Sequence, residues 1–269
     1  MKRSSRARLG ATATVGALSL ALITGCSDSG DSGSDDSKAS GSAETQAAKA
    51  LGAAELEKLI LAQGDVDGYE VEAADKELTA SKSDMKADER CLPLAYVMSG
   101  LAPGDAAAET NRMVTQEKEP TDTASQSLED LGEGEFEDAF TDALNVDVTV
   151  VTLSSYDGDG AEQTMKSVSD AVEGCAGGFT ATSEGEEGKI TEVAAEEGTG
   201  GGDEAVAFAV TAEMGEPGSD PATTHAEVVR HGSTIAAYYT LNVGAMMSEG
   251  KQKYTVPAVV VEAQGAKLK

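Results

Sequence analysis

Between Phe179 and Val243 the chain reads FTATSE, KITEVAAE, EAVAFAVTAEM, THAEVVRH and STIAAYYTLNV in succession. Each segment is rich in β-branched or aromatic residues or alternates apolar with polar positions, the period of a strand with two unlike faces. His231-Gly232 between the last two marks a tight hairpin. A run of consecutive strands with helical segments at both ends points to an α+β fold: one domain, a largely antiparallel sheet, and helices packed on one face.

The flanking segments fit that frame. In AAELEKLILAQ, Leu56, Leu59 and Ile60 recur at helical spacing, and Gly64-Asp65 stops the run. GYEVEA alternates as a strand, CLPLAYVMSGLA reads as a short helix around Pro93, and NRMVTQ as a further strand. FEDAFTDAL sets Phe136, Phe140 and Leu144 on one side of a helix. NVDVTVVTLSSY has the density of a buried strand. Beyond the turn DGDG, the residues Ala161, Met165, Val168, Val172 and Cys175 form an amphipathic stripe, with Asp159 and Glu162 placed as a capping box and Gly177-Gly178 as the stop. VPAVVVEAQGAKL closes the chain as a helix, with Val256, Val259, Val260 and Ala263 on one side. Tryptophan is absent, so the core has to be built from Val, Leu, Ala, Ile and Met.

The N-terminal region carries a different message. Lys2, Arg3, Arg6 and Arg8 precede an apolar run from Leu9 to Ile23, the layout of a secretory signal. At about 15 residues the run is short for a membrane-spanning helix. Leu22-Ile23-Thr24-Gly25-Cys26 resembles the lipobox of bacterial lipoproteins, which implies cleavage before Cys26 and a diacylglyceryl group on its sulfur, with palmitate-type acylation. An ordinary secretory signal is the alternative, and it lacks an A-x-A cut site here. From Ser27 the tract SDSGDSGSDDSKASGSAETQAA has no large apolar side chain, so it reads as a tether with a reach of roughly 25–30 Å. The expected division is therefore signal 1–25, acylated Cys26 and tether 26–52, and folded domain 53–269.

Cleavage would take the net charge from −28 to −32. Such a surface repels phosphate backbones, which argues against nucleic acid as a partner. The expected location is the extracytoplasmic face of the cell membrane, with the lipid on Cys26 as the attachment. The remaining partner would be a small molecule or an envelope protein.

Removing Cys26 from the count leaves an even pair in an oxidising space, so Cys91 and Cys175 are expected to form a disulfide. It would pin the start of the Pro93 helix to the end of the Ala161–Cys175 helix. Two separate buried thiols are the alternative.

The combination ADERCLPLAYVMSG, TVVTLSSYDGDGAEQT, VSDAVEGCAGGF, GGGDEAVAFAV and VPAVVVEAQGAKL resembles a group of actinobacterial lipoproteins of unassigned function. That group is in turn distantly similar to the extracellular sensor domain of the mycobacterial serine/threonine kinase PknH. The resemblance implies a mixed α+β domain with a cleft for an extracellular ligand. This chain departs from the sensor type in having cysteines for one disulfide rather than two, and Val172-Glu173-Gly174 where that type has a tryptophan ahead of the helix-end cysteine.

No catalytic motif assembles. Ser83-Asp84-Met85-Lys86 and Ser248-Glu249-Gly250-Lys251 match S-x-x-K, but a chain this rich in Ser supplies such matches by chance, and neither S-D-N nor K-T-G accompanies them. His225 and His231, six apart, would share a strand face and hold a metal only if the strand stays straight and a carboxylate joins them; the favoured reading puts one in the strand and the other in the turn. Read as a calcium loop, the stretch from Ser155 through Asp157, Asp159 and Gly160 ends on Lys166, where a bidentate glutamate is needed. GTGGGDE leads into a strand and offers no helix N-terminus to a phosphate. The sequence therefore predicts no catalytic residue, no metal and no cofactor, a ligand site it does not locate, and a binding or sensing module. A hydrolase using a carboxylate pair, or a carrier of lipids or small molecules, are the alternatives.

Overall fold

The computed structural model describes residues 49–74, 81–118, 144–213, 221–247 and 253–269. Cys26, the signal and the tether lie outside the described residues, as do Phe136, Phe140, Ser248 and Lys251. In chain order the described elements are α1 (Ala53–Leu59), β1 (Tyr69–Ala73), α2 (Leu92–Met98), β2 (Ala108–Gln116), β3 (Asp147–Ser155), α3 (Gly160–Gly174), β4 (Phe179–Ser183), β5 (Glu186–Glu196), β6 (Glu204–Glu213), β7 (Pro221–His231), β8 (Thr234–Asn242), α4 (Val243–Met247) and α5 (Ala258–Lys267). The five strands read between Phe179 and Val243 are β4 to β8.

All eight strands join one antiparallel sheet in the order β1-β2-β3-β8-β7-β6-β5-β4. The centre is the β3–β8 pair, which sets Ser155 beside Thr234 and Asp147 beside Asn242. From β3 the chain leaves through α3, which packs across β7, β6 and β5, and enters β4 at the far edge. It then returns strand by strand to β8. The last hairpin turns on Gly232-Ser233, with His231 paired to Thr234.

The expectation of helices on one face is corrected. One apolar cluster joins α2 and α3 to Phe208, Val210, Val228, Ile235 and Ala237. A second joins α1 and α5 to Val151, Leu153, Val229, Ala236 and Tyr238. Neighbouring positions in one strand, such as Ala236 and Ala237, therefore enter different cores, as the period of two requires. The central strands are apolar or hydroxylated on both sides, and this is why β3 and β8 are nearly unbroken β-branched and small residues. Each fully buried Leu or Ile contributes about 1.5–3 kcal/mol, and Leu56, Ile60, Leu61, Leu94, Leu153 and Ile235 are all so placed.

Threonine hydroxyls inside this core are paired. Thr149 and Thr240 meet at 2.9 Å between their Oγ1 atoms, and Thr152 donates to the Gly100 carbonyl at 2.8 Å. The predicted stripe of α3 is buried throughout. Its capping box does not form. Asp159 stands at the N-cap with φ −98° and ψ 11°, away from the extended backbone that lets a side chain turn back to the first amides, and it makes no cap hydrogen bond. In α5 the buried residues are Val260, Val261 and Gln264, and Val259 faces outward at 45% exposure. The stripe is rotated from the one read in the sequence because the polar Gln264 belongs to it.

Folded contacts begin before Ala53. The Ala50 amide donates to Asp157 Oδ1 at 3.0 Å and the Leu51 amide to Ser155 Oγ at 2.9 Å. Among the described residues no helix is long and apolar enough to cross a membrane.

Candidate functional site

Cys91 and Cys175 form a disulfide with their Cα atoms 6.0 Å apart. Cys91 is the N-cap of α2 and Cys175 the C-cap of α3, so the bond fastens the two helices end to end as expected. Its effect is to fix α2, a helix of 7 residues too short to hold its place alone.

The far end of α2 forms one wall of a groove of about 770 Å³. Its floor is apolar: Met98 and Ala95 from α2, Ala181 from β4 and Ile190 from β5. Met85 joins them because the segment ahead of α2 bridges onto the sheet edge, Lys86 and Thr182 exchanging both backbone hydrogen bonds at 2.8 and 2.7 Å. The same bridge covers part of the otherwise open edge of β4. Two methionines give the floor adaptable, polarisable side chains.

The groove's rim is anionic. Glu184, Glu186, Glu187 and Glu213 line it. Ser183 pairs with Glu186, so the β4–β5 turn is the two residues Glu184-Gly185, with φ 54° and 90°, as primed hairpin turns require. That backbone is uncommon for a glutamate. Glu213 is ion-paired to Lys189 at 2.6 Å, while the other three make no ion pair among the described residues. An apolar floor under a carboxylate rim suits a ligand with an apolar body and a positive charge.

The residues singled out from sequence for chemistry go elsewhere. Ser83 Oγ bonds Ser81 Oγ at 2.8 Å, not Lys86. His225 and His231 share a face of β7 but have different surroundings: His225 Nδ1 meets Glu196 Oε2 at 2.9 Å, while His231 lies against α5 near Gly265. Burial lowers the His231 pKa. Asp157 holds the Ala50 amide, which gives the SYDGDG turn a structural task. Among the described residues no group of three or more His, Cys, Asp and Glu is placed to hold a metal.

Two features were missed. The GTGGGDE loop folds over the carboxylate of Glu227, which is 1% exposed although it lies in a strand read simply as alternating. The pocket there, about 320 Å³, is lined by both Glu196 and Glu227. The second is a cleft of about 690 Å³ at the end of β1, where Arg112 pairs with Glu57 and Lys82 donates to the Gly104 carbonyl at 2.6 Å. Burial lowers the Lys82 pKa against the pull of Glu109 and Asp105. Arg112 is paired with Glu57, Lys82 is held by the Gly104 carbonyl and Glu109 accepts from the Ala102 amide at 3.0 Å, so that cleft reads as structure.

No family model matches the chain, and no curated protein matches it. Among solved structures it is similar to the extracellular domain of PknH from Mycobacterium tuberculosis, at 11% sequence identity and a TM-score of 0.43, over 80% of this chain and 97% of that one. A likeness of that size bears on neither ligand nor activity, and the groove stands on its own geometry.

Proposed function

We propose that this protein is a lipid-anchored extracytoplasmic lipoprotein whose domain binds a ligand or envelope partner in the groove between α2 and the β4–β5 hairpin. The observation that carries the reading is the groove itself, apolar below, carboxylate-rimmed above, with one wall fixed by the Cys91–Cys175 bond. The lipobox-like sequence at Cys26 and the tether after it supply the anchor, and a disulfide accords with an oxidising compartment. The role is binding rather than catalysis.

Two measurements test it. Metabolic labelling with palmitate in the native host should mark the wild type and not Cys26→Ser; equal labelling of both removes the anchor from the reading. Native mass spectrometry of the protein purified from its own envelope should show a bound mass that Met98→Lys abolishes. Turnover of an envelope polymer that is lost on changing one polar residue would replace the binding role with an enzymatic one.

A further inference from the structure

The pocket beneath the Gly198-Thr199 loop is on the other side of the sheet from the groove. Glu227 of β7 lies in its wall, 1% exposed. The Thr199 amide donates to Glu227 Oε2 at 3.0 Å, and the Thr199 hydroxyl lies 2.9 and 3.0 Å from the two carboxylate oxygens. A hydroxyl has one proton, so two donors serve a group with about four acceptor positions. No Lys, Arg or His among the described residues forms an ion pair with it. A buried carboxylate without an opposite charge is an expensive arrangement.

The surroundings repeat the pattern. Tyr238 stands directly across the β7–β8 ladder from Glu227, and its buried hydroxyl has no hydrogen-bond partner among the described residues. Burial, and then the nearby Glu227 charge, push the Tyr238 pKa upward, so the phenol keeps its proton. On the opposite side Glu227 pairs with Ala207 and Ala207 with Glu196, which puts the two glutamates about 9.5 Å apart at Cα with one methyl between them. Gly198 closes the top: a Cβ there would lie 2.8 Å from Glu227 Oε1, so a larger residue would displace the carboxylate or the loop. A buried carboxylate with acceptor positions to spare, in the wall of a cavity whose second carboxylate, Glu196, meets only His225 among the described residues, through one oxygen, is what a cationic ligand would complete.

We infer that this pocket is a second binding site, for the ammonium group of a small primary amine, with Glu227 as the buried anchor and Glu196 as the outer acid. An ammonium brings three N–H donors to match the acceptors. Of the rest of the lining, Glu197 is an exposed third carboxylate, while Ala207, Ala226, Thr255 and Val256 offer a short carbon chain its contacts. At about 320 Å³ the cavity is at the small end of ligand pockets and has room for a short-chain amine.

The test is calorimetric titration of the mature full chain with n-butylammonium chloride at fixed ionic strength, with n-butanol and tetramethylammonium as controls. Saturable one-to-one binding of butylammonium, absent with both controls, is expected. Glu227→Gln should weaken it roughly tenfold or more. Ala207→Leu, which fills the space between the glutamates and leaves every charge in place, should abolish it and guards against misfolding of the Glu227 variant. Met98→Lys, in the groove on the other face, should leave it unchanged. Equal binding of tetramethylammonium, or butylammonium binding that survives Ala207→Leu, would show only diffuse attraction to an acidic surface and overturn the proposal, as would no saturable binding at all.

Discussion

Gln264 accepts a hydrogen bond from the Leu61 amide at 3.0 Å, and the same side chain donates to the Leu59 carbonyl at 2.9 Å. A residue of α5, fully buried, thus satisfies backbone groups at the C-terminal end of α1, where a helix runs out of internal partners. Gln264→Leu should leave both groups unpaired and cost about 2–5 kcal/mol. Gln264→Glu keeps the acceptor for Leu61 and loses the donor to Leu59, yet buries a charge; it should be no better. Urea denaturation of the three proteins decides, and a Leu variant as stable as wild type would remove the capping role.

The disulfide closes a loop with a sequence separation of 84 residues. In the chain-entropy model such a loop is worth about 4–5 kcal/mol. Cys91→Ala with Cys175→Ala should lower the denaturation midpoint accordingly, and reductant should then have no further effect on the double variant. The wild type treated with reductant should reproduce the double variant's midpoint.

Adjacent glycines after α3 should behave oppositely. At Gly178, φ is +84° and a Cβ would lie 2.4 Å from the Ile190 carbonyl oxygen, a backbone atom that cannot swing aside. At Gly177 a Cβ meets nothing within 4 Å. Gly178→Ala should destabilise by more than about 2 kcal/mol, while Gly177→Ala should be neutral or stabilise by up to about 1 kcal/mol by restricting the unfolded chain. Thermal melts of the pair check this directly.

Asp65 and Lys267 form an ion pair between the loop after α1 and the end of α5. The Lys267 hydrogen bond, against some desolvation, holds the Asp65 carboxyl below its usual value of 3.8. A depressed acid adds stability that is present above the unfolded pKa and lost as pH falls through the folded one. The stability difference between wild type and Lys267→Met should therefore be constant near neutral pH and shrink below about pH 4. A difference that grows on acidification would contradict the assignment.

The strands were legible because each of β3 to β8 carries its own period, and the α3 stripe because five apolar residues recur at helical spacing. The second helical layer was not. Its contribution depends on Leu56, Ile60, Val260 and Val261 finding the far face of a sheet whose central strands are apolar on both sides, and a residue such as Ala236 beside Ala237 does not announce that each faces a different layer. Glu227 was illegible for a related reason. Between Ala226 and Val228 it looks like the wet position of an edge strand, and only the return of a glycine loop from two strands away makes it a buried charge. The groove required Lys86 to bridge onto β4, a contact between segments about a hundred positions apart that no local pattern encodes.

The pairing of β3 with β8 has a consequence for the order in which the molecule can come into being. Its seam needs Asn242 to meet Asp147, so a chain emerging from one end holds β3 with an unfilled edge until everything up to Asn242 is out. Non-local closure of this kind is slow, because the loop entropy comes before the contacts that reward it. Little stable structure therefore forms early, and the sheet commits only once its final strand is present.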